Sequence, residues 1–272
     1  MPTNQSECVS ARSWLFVPGT RPDQVAKAMR AGADAVIVDL EDAVLPQHKS
    51  HARRAVAELP DSAASIYVRV NAVGTHDFNL DVAAVMQAGV SGIVLPKVER
   101  REEIDALMAL MPAALPVVAL IETARGLDHL PELARHPAIS RVAFGGVDFA
   151  LDVGCSADST TIKMTRSTLV LACRAAGLPA PIDGVTISMQ SDVLERDAHD
   201  AKAMGFGGKL CIHPGQLECT NRAFQPSDRE IEWARRVTAQ AANIEAGALL
   251  VDGELVDRPV LERAKRILAE VR

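Results

Sequence analysis

Five apolar residues, Val117 to Ile121, run directly into Glu122 in the stretch VVALIETARG. A run this apolar reads as a strand buried on both faces, and a carboxylate at its end must be solvated, paired or bound to a metal. The same pattern, an apolar run with a polar residue in or just after it, recurs along the chain. It yields Glu41 and Asp42 after AVIVDL, Arg69 within IYVRV, Lys97 after GIVL, Asp148 after VAFGG, Asp183 in PIDGV and His213 after GKLCI.

If one fold gathers these positions, they form a cup of carboxylates with a few cations. Glu122 and Asp148 would come from adjacent strands, about 4.8 Å apart, where two carboxylates repel unless a cation sits between them. Oxygen donors without a nearby cysteine or histidine pair favour Mg²⁺ or Mn²⁺ over zinc. The structural alternative is that Glu122 pairs with Arg125 or caps the following helix while Asp148 is an N-cap. Arg69 shares a strand face with Tyr67 and is either a fork for a substrate carboxylate or oxyanion, or one end of an internal salt bridge to Glu41 or Asp42. Glu41 and Asp42 either orient metal-bound waters or start the next helix. Gly145 and Gly146 would let backbone N–H groups come close to a ligand carboxylate. Lys97 and His213 read as polar lid residues, and the histidine of IHPGQ as structural.

The elements that must position these residues alternate. Strands are expected at Trp14–Val17, Ala35–Leu40, Ile66–Val70, Gly92–Leu95, Val117–Ile121, Val142–Gly145, Pro181–Val185 and Gly208–Ile212. Helices are expected at Pro22–Ala31, Lys49–Glu58, Asn79–Ala88, Arg101–Met111, Leu127–Arg135, Ile162–Ala176, Asp192–Met204 and Asp228–Glu245. Gly32, Gly89, Gly177 and Gly205 follow four of these helices, where a left-handed cap is favoured. Eight strand–helix units without a G-x-G-x-x-G fingerprint indicate an α/β fold, a (β/α)8 TIM barrel over residues 13–246. Residues 1–12 read as a disordered lead-in. Residues 247–272 read as a C-terminal extension: a hairpin turning at Asp252-Gly253, then a helix opened by Pro259.

Composition narrows the function classes. A net charge of −6 and 3% aromatic residues argue against nucleic acid, and the apolar runs are too short to span a bilayer. Five dispersed cysteines without a C-x-x-C pair suit reduced thiols in the cytoplasm. No G-x-S-x-G elbow, Walker loop or H-E-x-x-H occurs.

The segments LFVPGTRP, DAVIVDLEDAV, VRVN, LPKVE, ALIETARG, FGGVDFALDVG and GFGGKLCIHPGQ, in this order, resemble the citrate lyase beta-subunit-like family, which includes malyl-CoA and citramalyl-CoA lyases. The resemblance runs from residue 13 to the C-terminus. It implies Mg²⁺-dependent, reversible Claisen chemistry that splits a 3-hydroxyacyl thioester of coenzyme A or an acyl carrier into an acyl thioester and a 2-oxo acid. It further implies that Glu122 and Asp148 hold the metal; Glu41, Asp42 and Lys97, read from the neighbouring strand ends, are expected around these ligands. Arg69 binds the oxo acid and steadies the enolate, and Gly146 and Val147 border the substrate. By the same resemblance Asp257, in ELVDRP, is an acid/base delivered to a neighbouring subunit, which calls for a homotrimer or larger oligomer. Coenzyme A is expected near Arg21 and the strand-eight loop. Val147 departs from the pattern, since relatives often carry an acidic residue there. A malyl-CoA-type thioester hydrolase, a coenzyme A-independent pyruvate-type aldolase and a non-catalytic metabolite-binding barrel are the competing readings.

Overall fold

The structure, a computed structural model, describes residues 8, 10–59, 65–111, 115–240, 249–251 and 253–271. Eight parallel strands close a barrel in sequence order: β1 Ser13–Pro18, β2 Ala35–Asp39, β3 Ser65–Arg69, β4 Gly92–Leu95, β5 Val117–Ile121, β6 Ile139–Phe144, β7 Ile182–Asp183 and β8 Gly208–Cys211, which pairs back to β1. Period-two alternation divides each strand between two cores. Trp14, Ile37, Tyr67, Val118, Leu120 and Leu210 pack inside the barrel. Their neighbours Leu15, Val36, Val68, Ile93, Ala119 and Ile121 pack outward with residues of the surrounding helices, such as Val25, Val56, Val82 and Ile104.

This phase positions the chemistry. Two residues beyond Trp14, Ile37, Tyr67 and Leu120 along the same inward face come Phe16, Asp39, Arg69 and Glu122, all at the C-terminal ends of their strands. The opposite end is closed by Arg141, which is fully buried and donates to the carbonyls of Cys8 (2.8 Å), Ala11 (2.7 Å) and Ala180 (2.8 Å). Cys8 and Ala11 are buried there and the N–H of Arg12 donates to Asp34 at 2.7 Å. Of the lead-in expected over residues 1–12, Cys8, Ala11 and Arg12 are buried, while residues 1–7 and 9 lie outside the described residues.

The helices are α1 Pro22–Arg30, α2 Lys49–Ala57, α3 Phe78–Val85, α4 Arg101–Leu110, α5 Ala124–Asp128, α6 Leu130–Leu133, α7 Gly146–Val153, α8 Thr160–Ala175, α9 Ser191–Met204, α10 Leu217–Phe224, α11 Asp228–Ala239 and α12 Arg258–Ala269. Several differ from expectation for identifiable reasons. The single helix expected over Leu127–Arg135 is two, because Pro131 has no N–H with which to continue α5. Strand β6 begins at Ile139 rather than Val142, since the polar Ser140 and Arg141 find partners in the barrel floor and the edge of β5. Gly32, Gly177 and Gly205 adopt positive φ as expected and Gly89 does not. Helix α10 is additional to the expected set, and α7 begins at Gly146, ahead of the Asp148 N-cap considered above.

Contacts divide the chain at Asn221/Arg222 rather than at 246/247. In the second unit α11 packs on α12 through Ala234, Val237, Leu261 and Ala264, beside an antiparallel pair of strands, β9 Leu249–Val251 and β10 Glu254–Val256. The turn between them has Gly253 at φ 85°, while Asp252 and residues 241–248 lie outside the described residues. No helix among the described residues is long and apolar enough to cross a membrane.

Candidate active site

At the strands' C-terminal ends a cavity of about 340 Å³ is lined by Phe16, Asp39, Asp42, Arg69, Glu122, Gly145, Gly146, Val147 and Asp148, among others. Arg69 is its fixed cation. It gives Asp39 two parallel hydrogen bonds, Nε to Oδ1 at 2.8 Å and Nη2 to Oδ2 at 2.6 Å, and its guanidinium lies 4.8 Å from the centroid of the Phe16 ring. Asp39 also accepts from the N–H groups of Glu41 and Ala43, both at 2.9 Å, so it ties the β2 exit loop to the arginine. Burial pulls the Arg69 pKa down, but hydrogen bonds and charge from Asp39 outweigh it and leave the guanidinium above its ordinary value.

The salt bridge considered for Arg69 was to Glu41 or Asp42. Both are near, at 3.2 and 3.6 Å from Nη1, yet the principal partner is Asp39. Asp39 closes the apolar run AVIVD in the way Glu122 follows VVALI, which is the signal that could have found it.

Glu122 is 2% exposed. Its Oε2 accepts the Lys97 N–H at 2.8 Å, and Lys97 is the one non-glycine residue with positive φ, 51°, among those described. Lys97 Nζ in turn donates to Glu41 Oε1 at 2.6 Å, while the buried Glu41 Oε2 has no hydrogen bond. A strained lysine thus bridges two buried carboxylates. Burial, followed by the charge of Glu41, pushes the Glu122 carboxyl up to about 8. Burial also raises Glu41, against the opposing pull of Arg69 and Lys97.

The purely structural roles open to Glu122 and Asp148 are filled by others. Thr123 caps α5 through Gly126 N–H at 3.1 Å, and Arg125 pairs with Glu99 at 3.5 Å. The N-cap of α7 is Gly145, so Asp148 stands in the first turn of that helix and not at its cap. Gly145 also makes room for the carboxylate: a Cβ there would come within 2.8 Å of Glu122 Oε1.

Glu122 and Asp148 could hold a hard divalent cation. Two carboxylates suit Mg²⁺, which takes one or two and completes its shell with water and substrate oxygens. The donors are oxygens, and Glu122, raised chiefly by burial and then by the charge of Glu41, is a carboxylate whose ionised form a cation would stabilise.

Other expected residues lie apart. Asp183 faces outward and pairs with Arg166 at 3.0 Å and Lys209 at 3.4 Å. His213 is exposed and accepts from Gly215 N–H at 3.0 Å, a structural cap. Arg21 is exposed and bonded to Asp23 at 3.1 Å. Asp257 caps α12, its Oδ1 accepting from Val260 N–H at 3.2 Å. A supporting network was not foreseen: Lys49 donates to the carbonyls of Leu40 and Glu41, and Asn71 to Asp81, so the loop carrying Glu41 is anchored from below.

Residues 12–214 match the model of the HpcH/HpaI aldolase/citrate lyase family. The chain is 36% identical over 263 residues to a citrate lyase subunit beta-like protein of Mycobacterium tuberculosis, covering 94% of this chain and 93% of that one. It is also 36% identical over 269 residues to a (3S)-malyl-CoA thioesterase of Cereibacter sphaeroides, covering 95% and 94%. The structure of M. tuberculosis CitE in complex with magnesium, acetoacetate and coenzyme A superimposes with a TM-score of 0.85 at 35% identity, covering 96% of this chain and 98% of that one. The chain belongs to the HpcH/HpaI aldolase/citrate lyase family.

Proposed function

We propose that this chain cleaves, and in reverse forms, a 3-hydroxyacyl-coenzyme A thioester of the malyl, citramalyl or citryl type, giving an acyl thioester and a 2-oxo acid, with Mg²⁺ held by Glu122 and Asp148. The observation that carries this reading is Glu122: a buried carboxylate in one cavity with Asp148 and a rigidly held arginine. The M. tuberculosis structure holding magnesium, acetoacetate and coenzyme A supports it.

Bound there, Mg²⁺ would polarise the oxygen on the carbon being cleaved and stabilise negative charge on it. Arg69 holds the oxo-acid carboxylate and opposes charge on the enolate oxygen, its fork kept in place by Asp39. As the C2–C3 bond breaks, its electron pair passes to the thioester as an enolate, the C3 hydroxyl proton passes to the proposed acid/base carboxylate, and C2 gains a proton from it. Asp257 of a neighbouring subunit is the proposed donor to C2, which makes an oligomer of three or more chains the working form. Lys97 keeps Glu122 aligned through its N–H. Coenzyme A or an acyl-carrier thioester is the proposed handle.

A second reading, a malyl-CoA-type thioester hydrolase, is favoured by the Cereibacter relatives of that name. Incubation of malyl-, citramalyl- and citryl-CoA with the protein and Mg²⁺, trapping oxo acids with phenylhydrazine and titrating free thiol, separates the two. Oxo acid without free coenzyme A supports the lyase; free coenzyme A without oxo acid supports the hydrolase. Cleavage of the free hydroxy acid would favour a coenzyme A-independent aldolase.

A further inference from the structure

A second cavity, of about 290 Å³, adjoins the first. The two share Phe144, Gly146, Val147 and Val185 in their walls. Its far side is formed by Ile162 of α8, Val193 of α9 and Ile187 in the loop after β7. Its volume is roughly ten times the ~30 Å³ that one water occupies in the liquid, far more than a methyl group needs.

The charges that reach this chamber are already matched. Arg166 makes two bonds to Asp183, at 3.1 and 3.0 Å, and one to Asp200 at 2.6 Å. The buried Lys209 donates to the Gly184 carbonyl at 2.7 Å and lies 3.4 Å from Asp183, while Asp197 accepts from the Thr186 hydroxyl at 2.9 Å. Arg166 and Lys209 thus share Asp183, Asp197 is held by a hydroxyl, and the two lining cations and two lining carboxylates sum to no net charge that would attract a phosphate or carboxylate. What stays open is apolar surface: Val147 is 49% and Ile187 67% exposed. Water against such surface is unfavourable, and a hydrocarbon chain is the occupant that removes it.

Position decides which part of the substrate that is. Val147 directly precedes Asp148 on α7, so a group bound at Asp148 has Val147 and the shared wall as its neighbours. Resting on the lyase reading above, we propose that the chamber receives the alkyl substituent of the carbon that is cleaved. The preferred oxo acids are then 2-oxo acids with a straight side chain of two to four carbons rather than glyoxylate.

The test is calorimetric titration of the Mg²⁺-loaded protein with glyoxylate, pyruvate, 2-oxobutyrate, 2-oxovalerate and 2-oxohexanoate, on the wild type and on Val193→Phe and Ile187→Trp, which fill the chamber from its rim. The expected result is roughly a fourfold tightening per methylene in the wild type, lost in both variants, with glyoxylate binding unchanged. Ile187 lies in an exposed loop, so that variant does not depend on repacking a helix. Binding of glyoxylate and pyruvate with no gain for longer chains, or a gain that survives both substitutions, overturns the chamber while leaving the lyase reading in place. Failure of every oxo acid to bind overturns both.

Discussion

Arg69 and Asp39 are register partners on β3 and β2 and meet in two parallel hydrogen bonds, at 2.8 and 2.6 Å. The fork proposed to grip a substrate is thus held in place by Asp39, and a group fixed in this way has a lower ordering cost on binding.

Removing Asp39 leaves a buried guanidinium without its main counter-ion and frees the β2 exit loop. Asp39→Ala should lower stability by about 3–5 kcal/mol, the usual cost of breaking a buried pair, read by denaturant unfolding. A change below about 1 kcal/mol would show that Glu41 and Asp42 suffice as partners.

Glu122 sets a pH dependence. Its folded pKa of about 8 lies above the ordinary value of 4.5, so the folded, metal-free protein binds this proton more tightly than the unfolded chain. The contribution to stability is complete below about pH 4.5 and is lost as pH rises through 8. In EDTA, unfolding free energy should fall between about pH 4.5 and 8 and level off above, and Glu122→Gln, which carries no charge, should flatten that fall. Because cation binding displaces the proton, apparent Mg²⁺ affinity should rise up to about tenfold per unit below pH 8, measured by calorimetry across pH.

Gly145 is required by contact. A methyl group there would meet the Glu122 carboxylate, with Oε1 at 2.8 Å. Gly145→Ala should keep the circular dichroism of the wild type and lose about 10²-fold in Mg²⁺-dependent turnover, the scale of an ångström's displacement at a reacting centre. Wild-type activity would mean the carboxylate relaxes at no cost.

Asp257→Asn should lower kcat by about 10²–10⁴-fold, the range of general acid–base catalysis, with KM little changed. Mixing it with an Arg69→Ala variant should restore activity in hetero-oligomers if the two residues serve one site from different chains. Absence of rescue would place Asp257 in its own subunit's chemistry or in the α12 cap alone.

Much of the barrel was legible because its strands are apolar on both faces and its helices carry an apolar stripe. Val117–Ile121 and Gly92–Leu95 appear as expected to the residue. What escaped was set by partners distant in sequence. Arg141 reads as polar, yet lies at the barrel floor because the carbonyls of Cys8, Ala11 and Ala180 receive it. Helix α7 follows glycines that look like a loop, and its helical turn is what turns Asp148 toward the cavity. Asp183 carries the same local signature as Glu122 but occurs one position out of phase with Ile182, which faces inward, so it pairs with Arg166 outside the barrel. Asp39 is masked in the sequence by Glu41 and Asp42, which follow it, although period two with Ile37 places it inward.

The measurement that bears most directly on carbon–carbon cleavage is turnover of citramalyl-CoA in D₂O, with and without EDTA, read by mass spectrometry. Cleavage through an enolate yields pyruvate and acetyl-CoA with one deuterium on the methyl carbon, dependent on Mg²⁺ and absent in Glu122→Gln. Free coenzyme A with unlabelled citramalate would contradict it, since hydrolysis leaves the C2–C3 bond and its hydrogens untouched.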